Sequence, residues 1–290
     1  MIAKQRYHEL ADNIMSEVSA AIGKNPGNKQ LDLDLKWARA IRNRKTCMNI
    51  LDLAEPFMAI SVEKFDANPF DLNTPAGIVD LRTGEIRPHD PKAYCTNITK
   101  VSPDKDPAGK REWLSFLKWV TSGNQELMIY LQHIAGMASI GAVMYEGVVF
   151  SYGTGANGKS TLWNTLQSVL GSYANTIAPE ILMTCKNSSR EIAGLASVQN
   201  KRLVLAAETE EGNRIAASVL KRLSSTDKIA AKRLYKDPFE FKPTHTLVLS
   251  TNHLPKIGSN DDGTWRRVIA IPFQAKMAPN EAKSDYDSKA

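Results

Sequence analysis

The residues best suited to chemistry lie between 153 and 160, where the chain reads GTGANGKS. This segment fits the phosphate-loop pattern G-x-x-x-x-G-K-[ST] at every fixed position. Glycines let consecutive backbone N–H groups converge on phosphate oxygens, and a helix that begins here adds its partial positive charge. Lys159 would reach the β- and γ-phosphates, and the hydroxyl of Ser160 would lie on Mg²⁺. The pattern predicts binding of a nucleoside triphosphate.

Two elements must position this loop. Val148, Val149 and Phe150 predict a short buried strand before it. Apolar residues from Leu162 to Leu170 recur at helical spacing after it, and Gly171 is a plausible helix stop. A glycine-rich turn that matches by accident is the alternative, and the flanking strand and helix make it the weaker one. The predicted nucleotide-binding residues are Gly153, Thr154, Gly155, Ala156, Asn157, Gly158, Lys159, Ser160 and Thr161.

A second buried-strand pattern, residues 201–208, ends in a carboxylate at Glu208, and Glu210 and Glu211 follow. A strand that ends in acid suits Mg²⁺ coordination and polarisation of an attacking water. We predict Glu208 and Glu210 as catalytic residues, with Glu211 as the third candidate. Glu208 and Ser160 are the predicted Mg²⁺ ligands. An acidic turn after a core strand is the alternative.

A polar amide follows a third buried strand, residues 246–250, because Thr251 is succeeded by Asn252. Strand ends of this kind are where open α/β sheets place ligands, so Asn252 is predicted to hold the attacking water. The alternative is that Asn252 is only a turn residue without a role in binding. Arg266 and Arg267 precede a last strand and suit charge stabilisation in phosphoryl transfer, in cis or from a neighbouring subunit. A structural salt bridge is the competing explanation.

A basic hairpin is predicted over residues 227–242. Apolar residues alternate with polar ones on both sides of a turn at residues 236–238. Lys232, Arg233, Tyr235 and Lys236 are the predicted DNA-binding residues, since cations track a phosphate backbone and an aromatic ring stacks on a base. Lys242 lies on the same predicted hairpin. A solvent-exposed edge protected by lysines would have a similar sequence.

Composition limits the class of protein. The 290 residues carry a formal net charge of +6, which permits a polyanionic partner. The three cysteines, at 47, 95 and 185, are far apart, so no zinc knuckle or disulfide framework is indicated. No apolar run reaches membrane-spanning length. We expect a soluble cytoplasmic protein without a membrane partner.

The pattern of apolar, turn-forming and polar residues divides the chain into three predicted regions. Residues 1–124 form a mostly helical N-terminal domain, with a β-hairpin around the turn at residues 82–84. Residues 125–278 form the nucleotide-binding domain, and residues 279–290 are a polar tail predicted to be disordered.

With these motifs in order, the chain resembles the superfamily 3 helicases. It is most similar to the helicase half of phage and plasmid primase-helicases related to the poxvirus primase-helicase. Six ordered segments carry the resemblance: residues 68–84, 153–161, 202–212, 221–235, 250–255 and 265–267.

The resemblance implies an α/β fold with an AAA+-type P-loop core and a hexameric homo-oligomeric ring. It further implies ATP hydrolysis coupled to translocation on single-stranded DNA, in replication of a phage or plasmid in the cytoplasm of a bacterial host. By resemblance, Glu208 and Glu210 form the acidic motif and Asn252 is a sensor. Either Arg266 or Arg267 is then the finger that reaches the neighbour's ATP. The residues of the basic hairpin would line the ring channel.

The sequence departs from the family at two points. A Glu-Thr-Glu arrangement replaces the adjacent carboxylates, so which glutamate polarises water stays open. The chain also lacks the primase domain that relatives usually carry upstream, so we expect priming to come from a separate primase. A non-motor AAA+ loader or scaffold is the alternative function. A small-molecule P-loop kinase is disfavoured, because it has no use for the basic hairpin.

Overall fold

The computed structural model describes residues 2–104, 107–183, 194–206, 214–233, 235–253, 256–257 and 261–276. The chain forms two compact units, Met1–Val62 and Glu63–Ala290. This division falls before the predicted boundary near residue 124, which stays a prediction about sequence domains. No helix in the described part of the chain is long and apolar enough to cross a membrane.

The first unit consists of three helices: α1 (Ile2–Lys24), α2 (Lys29–Ile41) and α3 (Arg44–Met58). The predicted helical character of this region is confirmed. Apolar residues recur at helical spacing from Leu33 to Leu53 and predict one periodic segment, but the structure has two helices here, because Asn43 caps a new one. Its side chain accepts a hydrogen bond from the backbone N–H of Lys45 at 2.9 Å.

The second unit begins with a three-stranded antiparallel sheet in the order β1-β2-β3, formed by β1 (Asp71–Thr74), β2 (Gly77–Asp80) and β3 (Ile86–Arg87). The predicted hairpin of β2 and β3 is confirmed. The sequence prediction missed β1, because its residues are polar and prolines flank it. Two helices follow, α4 (Pro107–Val120) and α5 (Gln125–Met137), as expected from their apolar periodicity.

A five-stranded, all-parallel sheet is the centre of this unit, with the order β12-β4-β10-β6-β5. Its strands are β4 (Val148–Tyr152), β5 (Ala174–Ile177), β6 (Leu203–Ala206), β10 (Thr246–Thr251) and β12 (Val268–Pro272). Four of them correspond to predicted strands. The edge strand β5 was missed, because Asn175 and Thr176 interrupt any apolar run.

The remaining described helices and strands complete the unit: α6 (Lys159–Leu170), β7 (Arg214–Ile215), α7 (Ala217–Ser224), β8 (Ile229–Lys232), β9 (Pro238–Phe241), β11 (Lys256–Ile257) and α8 (Asp262–Trp265). The sequence from Arg214 to Leu223 predicts one helix, and the structure shows that this prediction is wrong at its start. Arg214 and Ile215 pair with β11 instead, a partner distant in sequence, and the helix begins at Ala217.

Both faces of the parallel sheet are buried. Val148 and Phe150 of β4 face a cluster that includes Leu220 of α7. Val149 faces the opposite cluster, which includes α4, α5 and Trp163 of α6. Since alternate residues of a strand point to opposite faces, a continuous apolar run is what a strand covered on both sides requires. The structure is therefore mixed α/β, with a parallel sheet and a helical N-terminal region.

Candidate functional site

The glycine-rich loop connects β4 to α6 with a conformation that requires its glycines. Gly153 has φ +154° and Gly158 has φ +78°. A Cβ on Gly153 would lie 2.3 Å from the carbonyl oxygen of Phe273, and one on Gly158 would lie 2.8 Å from Cζ3 of Trp119. The loop therefore fits between the end of β12 and helix α4 only without these side chains.

A cavity of about 500 Å³ opens at this loop. It lies where the parallel strands end, which is where open α/β sheets bind their ligands. Its walls are the loop, the first turns of α6 and the carboxyl ends of β6 and β10. The lining residues are Gly155, Ala156, Asn157, Gly158, Lys159, Ser160, Thr161, Trp163, Asn164, Thr176, Leu205, Ala206, Val248, Ser250, Thr251 and Asn252.

Two predicted residues meet in this cavity. The buried Lys159 donates from Nζ to the carbonyl oxygen of Gly153 at 2.5 Å and to Oδ1 of Asn252 at 3.3 Å. Asn252 comes directly after β10, and the register of β10 with β4 places Thr251 beside Tyr152. The sheet thus brings an ammonium group and an amide together although they are distant in sequence. Both groups lie within reach of a ligand in the cavity.

Asn157 supports the loop with its side chain. Its Nδ2 donates to the carbonyl oxygen of Phe273 at 3.1 Å, and its Oδ1 accepts from the backbone N–H of Lys159 at 3.4 Å. The sequence placed Asn157 among the nucleotide-binding residues through its position alone. In the structure its amide ties the loop to the end of β12, so its side chain holds the shape of the loop.

A buried pair that the sequence pattern does not predict lies beneath the cavity. Trp163 donates from Nε1 to Oγ of Ser151 at 2.8 Å, and both residues are buried. Trp163 also lines the cavity. The sequence contained a signal, because a buried tryptophan on a helix needs a partner for its N–H and the apolar run of β4 is followed by the hydroxyl of Ser151. The pair anchors the first turn of α6 to the strand that carries the loop.

The predicted acidic residues Glu208, Glu210 and Glu211 lie outside the described residues. Strand β6 ends at Ala206, which pairs with Leu249 of β10 and lines the cavity. Within the described part of the chain, no group of three or more His, Cys, Asp or Glu side chains is placed to hold a metal ion. Ser160 lines the cavity and is the described member of the predicted Mg²⁺ pair.

The two predicted arginines do not join Lys159 and Asn252. They precede β12, whose first residue Val268 pairs with Val148 at the start of β4, whereas the loop follows the end of β4. Arg267 is buried and forms an ion pair from Nη2 to Oε2 of Glu146 at 2.6 Å. The side chain of Arg266 is exposed, and its backbone carbonyl accepts from the Tyr145 hydroxyl at 3.1 Å. The neighbouring arginines therefore have different surroundings.

The predicted basic hairpin is confirmed as a structure, with β8 and β9 paired antiparallel. Tyr235 lies at the tip with 93% of its surface exposed. Lys232 and Lys236 are also exposed. Arg233 differs from them, because its Nη2 donates to Oε1 of Gln199 at 2.8 Å and its guanidinium lies 5.4 Å from the centre of the Phe239 ring. Contact with DNA stays a prediction for all four.

Arg202 joins the antiparallel sheet to the start of β6. It is buried, stacks 4.3 Å from the Tyr173 ring centre, and donates at 2.5 Å to the carbonyl oxygens of Ser139 and Asp71. Burial lowers the pKa of Arg202, and the nearby Tyr173 opposes that shift. Asp71 belongs to the segment 68–84 on which the resemblance rests. The described contacts give this segment a structural role beside the sheet.

Comparison with known proteins identifies relatives for both parts of the chain. Residues 3–122 match the family described as D5 N terminal like, and residues 151–267 match a family of unknown function (DUF5906). A protein of Acanthamoeba polyphaga mimivirus, named as a putative helicase, is 31% identical over 220 residues. That alignment covers 74% of this chain and 23% of the mimivirus protein.

Two further viral relatives match a shorter part of the chain. A putative helicase of Frog virus 3 (isolate Goorha) is 34% identical over 151 residues, which are 49% of this chain and 15% of the relative. A putative primase of African swine fever virus (isolate Tick/Malawi/Lil 20-1/1983) is 26% identical over 140 residues, with 47% and 15% covered. The chain therefore spans less than a quarter of the length of these relatives.

Among solved structures, the apo C-terminal region of NrS-1 is similar at a TM-score of 0.46 and 14% identity. The similarity covers 64% of this chain and 41% of that one. The D5 N terminal like match, together with relatives in large DNA viruses that are named as helicases or primases, supports a primase-helicase family for this chain.

Proposed function

We propose that this chain is the motor part of an ATP-dependent DNA helicase that acts in DNA replication. The observation that carries the proposal is the cavity at the glycine loop, in which Lys159 and Asn252 meet. The backbone of the loop and the start of α6 offer N–H groups to a polyphosphate. Relatives named as helicases and primases support the same role in replication.

ATP would bind with its phosphates in the loop at residues 153–161. Lys159 would leave the Gly153 carbonyl for the β- and γ-phosphate oxygens, and Asn252 would orient the attacking water. Mg²⁺, held by Ser160 and Glu208, would neutralise charge on the phosphates when it is bound. Glu208 or Glu210 would accept the proton of the attacking water. The residues of the loop fit this ligand, because glycines at positive φ have no side chain that would keep phosphate oxygens from the backbone N–H groups.

Arg266 is the arginine that we assign to transition-state stabilisation, and it would act on a neighbouring subunit. Arg266 lies near the start of β4 and the glycine loop follows its end. The length of β4 separates them by about 13 Å, at roughly 3.3 Å per residue. That is too far for Arg266 to reach its own nucleotide. An exposed guanidinium on the opposite edge of the sheet suits an arginine finger in trans. A homo-oligomeric ring, hexameric by resemblance, is therefore part of the proposal, and the core would be of the AAA+ type.

Single-stranded DNA would contact the basic hairpin. Lys232 and Lys236 would neutralise phosphates, and the exposed ring of Tyr235 would stack on a base. Arg233 braces the hairpin through Gln199 and Phe239, so its contribution to DNA would be smaller. Priming would come from a separate primase or a separate part of a longer protein.

The test is ATP hydrolysis by the purified chain, with and without single-stranded DNA, beside the Lys159→Ala variant. Hydrolysis that DNA stimulates and that the substitution abolishes is the expected result. Asn13→Ala, which changes an exposed polar residue of α1, is the control that should leave hydrolysis unchanged. Hydrolysis that is indifferent to DNA favours the loader or scaffold function. Hydrolysis that survives Lys159→Ala overturns the proposal.

A further inference from the structure

We infer that Glu146 is a positioning residue that connects the base of the basic hairpin to the segment carrying Arg266. DNA on the hairpin would thereby control the arginine that serves the neighbouring nucleotide. This inference rests on the proposed function, and its evidence is a set of contacts at the amino ends of β4 and β12, opposite the glycine loop.

The carboxylate of Glu146 binds two different segments with its two oxygens. Oε2 accepts from Nη2 of Arg267 at 2.6 Å. Oε1 accepts from both the backbone N–H and the hydroxyl of Thr226, each at 3.3 Å. Glu146 itself lies just before β4, the strand that carries the glycine loop. The side chain of Glu146 therefore connects the start of β4 to the segment that contains Thr226 and to the segment that contains Arg267.

The partners of Glu146 lead to the two sites that the inference connects. Thr226 lies in the link between α7 and β8, the first strand of the basic hairpin. Arg267 is the immediate neighbour of Arg266. A displacement at the base of the hairpin would therefore reach the arginine segment through the hydrogen bonds of Thr226 to Glu146.

A second contact joins the same two regions in parallel. Lys221 of α7 donates from Nζ to Oδ1 of Asp261 at 2.6 Å. Asp261 caps α8, since its carboxylate accepts from the backbone N–H and the hydroxyl of Thr264, each at 2.9 Å. Helix α8 leads directly into Arg266. Two connections, Thr226–Glu146 and Lys221–Asp261, thus join α7 and the hairpin base to the arginine segment.

The arginine segment is held by contacts within itself and with the start of β4. The side chain of Arg267 is 10% exposed, and its Nη1 also donates to the carbonyl oxygen of Gly263 at 2.6 Å. The backbone carbonyls of both arginines accept hydrogen bonds. The carbonyl of Arg267 accepts from the N–H of Val148 at 2.7 Å, and that of Arg266 accepts from the Tyr145 hydroxyl at 3.1 Å. A buried, paired guanidinium resists local distortion, because any rearrangement leaves charge unpaired.

The test removes the side-chain hydrogen bonds of both connections and leaves the arginines, the hairpin and the glycine loop intact. The backbone N–H of Thr226 still donates to Glu146 in the variant, so the test measures what the two side chains contribute. In the double variant Thr226→Val with Lys221→Met, we expect kcat for ATP to fall about tenfold, since a misplacement of about 1 Å costs about 10²-fold and the loss of these side-chain contacts should shift the arginine by less. The KM for ATP should stay within about twofold, because each subunit's own loop still binds nucleotide. The conservative pair Thr226→Ser with Lys221→Arg should restore kcat.

Two further readouts separate a positioning role from a general loss of structure. In an Arg266→Ala background, the double variant should cause no additional loss of kcat. Affinity for a fluorescent single-stranded oligonucleotide should match wild type, while the remaining hydrolysis should no longer respond to DNA. An unchanged kcat, or an equal loss in the Arg266→Ala background, overturns the inference alone. A wild-type chain that does not hydrolyse ATP overturns the proposed function and the inference with it.

Discussion

The ammonium group of Lys159 lies 3.3 Å from Oδ1 of Asn252, and this contact joins the loop after β4 to the end of β10. Lys159 begins the helix that follows β4, and Asn252 follows β10, the neighbouring strand of the parallel sheet, so the two residues meet although they are far apart along the chain. We expect the buried Lys159 to bind a phosphate oxygen when nucleotide enters the cavity, because a hydrogen bond to an ionised oxygen is stronger than one to a neutral amide. Asn252 therefore has two expected effects, on the position of Lys159 and on the attacking water.

Substitutions of Asn252 should separate these effects. Asn252→Ala should lower kcat for ATP about 10²-fold with little change in nucleotide affinity, because the water loses its orienting group. Asn252→Asp should instead weaken ATP binding, because a carboxylate would hold Lys159 in an ion pair and repel phosphate. Titration with a fluorescent ATP analogue, together with steady-state hydrolysis, measures both quantities. Equal behaviour of the two variants would contradict the assignment.

The glycine loop offers a matched pair of substitutions. Gly158→Ala introduces a Cβ 2.8 Å from Trp119 at φ +78°, whereas Gly155→Ala introduces one into open space at φ +92°. Both should cost about 1–2 kcal/mol of backbone strain. Gly158→Ala should lose more free energy of unfolding, since α4 must also move. Urea denaturation of the two variants measures the difference, and a larger loss for Gly155→Ala would contradict the packing of α4 on the loop.

Substitution by alanine should have different main effects at the two arginines: a loss of stability at Arg267 and a loss of ATP hydrolysis at Arg266. Arg267→Ala removes a buried guanidinium and leaves the partly exposed Glu146 without its ion-pair partner, so it should cost about 1–3 kcal/mol of unfolding free energy. Arg266→Ala should leave stability within about 0.5 kcal/mol of wild type, because the side chain is exposed. Its ATP hydrolysis should fall about 10³-fold. Denaturation and hydrolysis assays on both variants decide the assignment, and a stable, inactive Arg267→Ala protein would reverse it.

The hairpin residues should differ in what they contribute to DNA affinity. Tyr235→Ala should weaken binding of single-stranded DNA by about 1–3 kcal/mol, the typical loss when a stacked base loses its aromatic partner. Lys232→Ala should weaken it in a salt-dependent way and reduce the slope of log K against log salt by about one. Fluorescence anisotropy over a range of salt concentrations measures both. Arg233→Ala is the comparison, because its contacts with Gln199 and Phe239 predict a loss of hairpin stability first.

His245 predicts a pH dependence of stability. Burial lowers the pKa of this histidine to about 4, below its ordinary value of 6.5. Since the unfolded chain takes up the proton first, the contribution of His245 is complete above pH 6.5 and falls as the pH drops towards 4. By about pH 5 the loss should be about 2 kcal/mol. Urea denaturation of wild type and His245→Asn at both ends of this range isolates the effect. A difference between them that does not shrink with acid contradicts it.

Much of this protein was accessible from sequence because its signals are local. The glycine loop, its strand and its helix occupy consecutive residues, so spacing alone predicted their order. The basic hairpin was found in the same way, since alternation on both sides of a turn is a short-range property. The same holds for the helices of the first unit and for the hairpin of β2 and β3.

Other features depend on residues that meet only after folding. Strands β1, β5 and β7 were missed because each is short or polar and is defined by its partner strand. The pattern placed Asn157 in the nucleotide site, but the Phe273 carbonyl decides where its amide lies. The sequence presents Arg266 and Arg267 as equivalent neighbours. Glu146 distinguishes them, because a buried guanidinium must find a carboxylate, and only tertiary packing determines which arginine is buried.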